Sequence, residues 1–193
     1  MESMGGRRGF TLIELLVVIA ILAVLAVAVV LVLNPAELLK EGRDSTRISD
    51  LAAMNSALGI WTADVIGGST WPSVTTYNCT ASTTKPTGTG ACSLQQGTKT
   101  DGTGWIPVDF RLIASGSPLP RLPLDPNNGA ACLGGKVCQY AMAASTTVGA
   151  YELDAAMEST KFFSATSTRV VTNDEDGGND AAIYETGSNL TLF

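Results

Sequence analysis

The chain has 193 residues, with 12 lysines and arginines against 18 aspartates and glutamates, four cysteines and no histidine. A formal charge of −6 leaves no electrostatic footprint for a polyanion, so nucleic-acid binding is not supported by charge, a local patch of Lys85, Lys99, Arg111 and Arg121 aside. With no histidine, no Gly-x-Ser-x-Gly, no P-loop and no cysteine outside an expected disulfide, an enzyme would have to rest on scattered carboxylates, and the chain reads as a non-enzyme.

Residues 1–9 form a short leader that contains Arg7 and Arg8. An unbroken apolar run follows from Leu15 to Leu33; about 20 such residues cross the ~30 Å hydrocarbon core of a bilayer as a helix. The arginines would hold its amino end on the cytoplasmic side. An ordinary secretory signal, with an apolar core of about 7–15 residues and a cut site after it, does not fit. One carboxylate, Glu14, stands near the start of the run, where even mild scales charge about 2.5–3.5 kcal/mol for an acidic side chain at mid-bilayer. A plain signal anchor has no use for it.

The residues Arg8-Gly9-Phe10-Thr11-Leu12-Ile13-Glu14-Leu15-Leu16 resemble the processing and assembly signature of type IV prepilins and of the pseudopilins of type II secretion systems. The resemblance implies cleavage after Gly9 by a prepilin peptidase and methylation of the new terminus, Phe10. It also implies an assembly role for Glu14, which would neutralise the terminal ammonium of a neighbouring subunit. Two such charges in low dielectric each cost several kcal/mol alone and offset much of that cost when paired. The implied partners are identical or related pilin subunits, the peptidase, and an assembly platform with its ATPase. The implied location is the cytoplasmic membrane for the single-pass precursor and the cell surface once assembled.

Residues 10–33 are thus the membrane and assembly helix, and residues 34–66 its amphipathic continuation. Asn34-Pro35-Ala36-Glu37 reads as a helix restart, with Asn as N-cap and Pro at the first helical position, so the two helices should form one rod with a kink. Ile48, Leu51, Met54, Leu58, Trp61 and Val65 recur every three or four residues as a stripe that would dock on a sheet. Arg43, Asp44, Arg47 and Asp50 fall to the opposite faces, as a solvated collar or as inter-subunit pairs. The rest, residues 67–193, would be a globular pilin-like head, giving an α+β fold: a long amino-terminal helix packed on a carboxyl-terminal antiparallel sheet.

From Gly67 to Gly104 the composition turns to Thr, Ser and Gly without periodicity, which reads as a long variable loop. The soluble part would face an oxidising compartment, so the cysteines are expected to pair. Of three pairings, Cys79–Cys92 and Cys132–Cys138 close the shortest loops; zinc is disfavoured by the spacing and the missing histidine. The triplets Asn78-Cys79-Thr80 and Asn189-Leu190-Thr191 match the N-glycosylation pattern but are too short to carry weight.

Within residues 132–193, strands are expected over Val137 to Ala143, Ala150 to Ala155, Lys161 to Val171 and Ala181 to Phe193. An Asp125-Pro126 turn leads into them. Gly149 to Ala155 resembles the Tyr-containing strand that follows this turn in pilins and major pseudopilins. The run Asn173-Asp174-Glu175-Asp176-Gly177-Gly178-Asn179-Asp180 concentrates oxygen donors beside a Gly pair, a composition suited to a hard cation. Major pseudopilins carry an acidic, Gly-rich calcium loop near this end, which implies Ca²⁺ on Asp174, Asp176, Asn179 and Asp180; no cofactor is otherwise required. The competing reading of the whole chain is a helix-anchored, calcium-stabilised surface binding module that does not polymerise.

Overall fold

A computed structural model describes residues 9–65, 71–72, 75–87, 90–163, 176–180 and 182–193. Its contacts divide the chain into two units, Met1–Leu38 and Leu39–Phe193. In the first, helix α1 spans Leu12–Leu33, is 22 residues long and is apolar apart from Glu14. At 1.5 Å per residue this length covers roughly 33 Å, enough for a hydrocarbon core. Its large apolar side chains from Leu12 to Leu33 are exposed wherever they are described, so this unit leaves that surface uncovered. Asn34 ends the helix in the left-handed region at φ 40° and ψ 70°, a conformation asparagine tolerates better than most residues. Pro35 disfavours helical geometry in the residue before it, and helix α2 starts there, over Pro35–Asp64. Asn34 therefore acts as the C-cap of α1, and its carbonyl accepts from Glu37 and Leu38 N–H as α2 begins.

The second unit wraps the remainder of α2 with a five-stranded sheet of order β2-β1-β3-β4-β5. Its strands are β1 (Thr76–Cys79), β2 (Ser93–Leu94), β3 (Tyr140–Ala144), β4 (Tyr151–Ala155) and β5 (Tyr184–Gly187). All pairs are antiparallel except β1 with β2. Side chains alternate faces along each strand. Tyr140, Met142 and Ala144 on β3, and Tyr151, Leu153 and Ala155 on β4, meet Leu51, Met54, Ala57, Leu58 and Trp61 of α2 in the main core. Ile48 and Val65 pack at its margin, so the whole apolar stripe docks on the sheet. Fully burying each of the Leu and Met side chains among them contributes about 1.5–3 kcal/mol.

Two expectations change. The segment from Gly67 to Gly104 is not structureless, because it supplies β1, which pairs with β3 from Thr76↔Ala144 to Cys79↔Ala141. Trp105, Ile106, Val108 and Phe110, just beyond it, are core residues. The expected strand from Lys161 begins instead as a turn over 161–163, and its remainder lies outside the described residues. The strands starting near Val137, Ala150 and Ala181 are present but shorter than their apolar runs.

Candidate functional site

The amino-terminal motif is built on the first turn of α1. Thr11 is the N-cap, and with Glu14 it forms a reciprocal capping box. The Glu14 carboxylate accepts from the Thr11 backbone N–H at 2.8 Å and from the Thr11 hydroxyl at 2.8 Å, while Glu14 N–H donates to the Thr11 hydroxyl oxygen at 3.3 Å. A Ser/Thr-x-x-Glu pattern closes this way because it satisfies two otherwise orphaned helix donors. In the isolated chain Glu14 thus leans on its own helix terminus. Phe10 is 89% exposed, and open space surrounds Gly9. The leader arginines lie outside the described residues.

The charged collar of α2 does not form a solvated face. Asp44 and Arg47 are fully buried, because spacings of three and four place them one and two turns ahead of Leu51 on the same stripe. Arg47 donates through Nε and Nη2 to both oxygens of Asp125 at 2.7 Å each, through Nη1 to Asp44 at 2.7 Å, and through Nη2 to Glu158 at 2.7 Å. Asp44 also accepts from the Glu158 and Ser159 N–H groups and the Ser159 hydroxyl, and Arg43 pairs with Glu158. Burial alone would raise the Glu158 carboxyl, but the hydrogen bonds from Arg43, Arg47 and Asn127 outweigh it and bring it down to about 2. Asp125 belongs to the Asp-Pro turn, so this network fastens the turn to α2. Asp50 accepts from the Tyr140 hydroxyl at 2.7 Å. These four charges therefore serve the head's own packing.

The sulfurs of Cys79 and Cys92, and those of Cys132 and Cys138, are bonded in the structure. The first bridge joins β1 to the residue before β2, the second closes a short loop ahead of β3. Asn78 is buried and its amide donates to the Trp105 carbonyl at 2.8 Å, which closes that triplet to a glycan. Of the basic patch, Lys85 sits 3.3 Å over the Tyr77 ring and Arg111 pairs with Asp109.

Asp174 lies outside the described residues. Asp176 accepts from the Gly178 N–H at 2.8 Å and from the Glu185 N–H at 2.7 Å. Asp180 accepts from the Ala182 N–H at 2.8 Å and faces Lys136 at 3.7 Å. The loop aspartates thus hold the turn and tie it to β5.

Sequence reasoning missed a different acidic group. Glu152 and Asp154 alternate with Tyr151, Leu153 and Ala155 on β4, a pattern that reads as polar residues facing water, yet both are completely buried, as is Glu185 on β5 at 1% exposure. Asp154 and Glu185 are directly opposed in register, where like charges destabilise a sheet. Burial, then the neighbouring Glu152, Glu185, Asp176 and Asp180 charges, push the Asp154 carboxyl well above the usual range, and burial, then proton sharing with the adjacent Glu152 carboxyl, raises Glu185 to about 8.

No curated protein and no solved structure matches the chain. The family model described as the prokaryotic N-terminal methylation motif matches residues 4–30, which takes in Gly9, Phe10, Thr11, Glu14 and most of α1. That family is structural rather than enzymatic, and the motif with its exposed apolar helix fits a membrane-anchored precursor. With an α+β head behind it, the chain carries the signature of the type IV pilins and pseudopilins.

Proposed function

We propose that this chain is a structural subunit of a type IV pilus-like filament. In this reading a prepilin peptidase cuts between Gly9 and Phe10 and methylates Phe10, and the subunit waits in the cytoplasmic membrane through α1. An assembly platform and its ATPase then move it into a filament at the cell surface, packed against identical or related subunits. The observation that carries the reading is the combination at the start of α1: a helix exposed over its apolar length, with its one acidic side chain in the first turn beside the cleavage point. Bilayer covers such a surface in the monomer, and neighbouring copies cover it in a bundle. The capping box supplies the exchange. Glu14 is held by Thr11 while alone, and the Phe10 ammonium of a neighbour offers a charged donor in place of that neutral hydroxyl, a stronger bond in a low dielectric.

Glu14→Ala in the native host tests this. The variant removes the ammonium's partner but keeps the helix apolar, so it should accumulate in the membrane at wild-type level and fall at least tenfold in the sheared filament fraction, read by immunoblot. Undiminished incorporation would refute the pairing, whereas absence of the wild-type chain itself from the filament fraction would favour an anchored binding module that does not polymerise.

A further inference from the structure

We infer that the Glu152, Asp154 and Glu185 carboxylates form a binding site for one hard divalent cation of the calcium type. The site is built on strands β4 and β5, on the sheet face turned away from α2, and it stands independently of the amino-terminal motif. Ligand oxygens of the three residues all lie within 4.8 Å of one another. Among the described residues, the buried side-chain nitrogen and oxygen atoms without a hydrogen-bond partner are four: Glu152 Oε1, Asp154 Oδ1, Asp154 Oδ2 and Glu185 Oε1. They all belong to this one cluster.

The other oxygens of the two glutamates show how the arrangement is held. Glu152 Oε2 accepts from the Leu192 N–H at 2.6 Å and the Phe193 N–H at 3.3 Å. Glu185 Oε2 accepts from the Asp180 N–H at 3.1 Å. Each glutamate is therefore anchored through one oxygen and presents the other inward, beside an Asp154 that presents both. Opposite Asp154 and Glu152 on β3 stand Ala141 and Ala143, which bring methyl groups and no donor. The loop closes over the group: a side chain at Gly178 would overlap the Glu185 carboxylate, which accounts for a glycine there.

A fully buried carboxylate with neither oxygen bonded is costly, and two more beside it compound the cost. No described basic side chain forms an ion pair with any of the three. What resolves such a set is either shared protons or a cation. An all-oxygen donor set selects hard ions over zinc or copper. Four inward oxygens from a dry protein cage leave roughly two to four of calcium's six to eight positions for water or backbone carbonyls, whereas magnesium prefers to keep its waters and an ideal octahedron. The loop aspartates, engaged with backbone N–H groups, shape the lid and are not the ligands.

The test uses the full chain purified in detergent and stripped with chelator. Isothermal titration with CaCl₂ should give one ion per chain, with MgCl₂ at least tenfold weaker, and calcium should raise the melting temperature in step with its concentration. Asp154→Asn and Glu185→Gln, similar in shape to the originals, should each weaken calcium binding at least tenfold. Because each removes a buried like charge, each should melt at or above the wild type in chelator, which also shows that it folds. Asp176→Asn should bind calcium within a few-fold of wild type. Absence of calcium binding by the wild type would overturn the inference and leave shared protons as the account of the cluster. Loss of binding in Asp176→Asn with binding intact in Asp154→Asn would overturn it in favour of the loop.

Discussion

Replacing Arg47 by Met keeps most of the side-chain stem and removes the guanidinium that joins Asp44, Asp125 and Glu158. Breaking a buried ion pair from one side costs about 3–5 kcal/mol, because the remaining charges are left uncompensated. Here the partners retain some support: Asp44 keeps the N–H groups of Glu158 and Ser159, Asp125 keeps the Asn127 N–H, and Glu158 keeps Arg43. The expected loss therefore falls near the lower end, about 3 kcal/mol, against a total of roughly 5–15 kcal/mol for a domain. The pH dependence gives a second reading of the same network. The Glu158 carboxyl is held at about 2 in the folded chain against an ordinary 4.5. A depressed folded value gives stability that is complete above about pH 4.5 and is lost as pH falls through about 2; at about 1.4 kcal/mol per pH unit this is roughly 3 kcal/mol. Urea unfolding of the detergent-solubilised chain, followed by the fluorescence of buried Trp61, Trp71 and Trp105, measures both. Arg47→Met should lower stability at pH 7 and flatten its fall between pH 4.5 and 2. A loss below about 1 kcal/mol, with the acid limb unchanged, would refute the account of the network.

Leu58, fully buried between α2 and the sheet, should cost about 2–5 kcal/mol as Leu58→Ala in the same unfolding assay; a cost below 1 kcal/mol would mean that the stripe is not core. Non-reducing peptide mapping should recover Cys79 with Cys92 and Cys132 with Cys138, and a Cys92–Cys132 peptide would contradict the fold around β1. Replacing Cys79 and Cys92 together by Ser should destabilise the head by about 2–4 kcal/mol, since the bridge closes a loop with a sequence separation of 13.

The apolar stripe from Ile48 to Val65 was legible because burial on one helix face repeats every three to four residues, and α1 because apolar length alone marks it. Asp44 and Arg47 continue that stripe at the same spacing. Residue type alone reads them as a solvated collar or as inter-subunit pairs, and only the three-dimensional return of Asp125 and Glu158 makes their burial tolerable, a fact no local pattern contains. The strand β1 was hidden for a related reason. Thr76-Tyr77-Asn78-Cys79 is short and sits in a Ser/Thr-rich stretch, and it is fixed by pairing with β3, far along the chain. The buried acids of β4 show the limit of the period-two rule: alternation tells which residues share a face but not whether that face meets water. Here the chain over 176–180 and 192–193 covers it. By composition the acidic run from Asn173 to Asp180 is the conspicuous one, whereas the unpartnered oxygens belong to strand residues that composition does not distinguish.

The central claim is that Phe10 becomes the amino terminus of a polymerised subunit, and mass spectrometry of the chain recovered from sheared surface filaments tests it most directly. The account predicts an amino-terminal peptide beginning at Phe10 with one added methyl group on its α-amine. A chain in assembled material that still begins at Met1, or that is cut after the apolar helix, would contradict it.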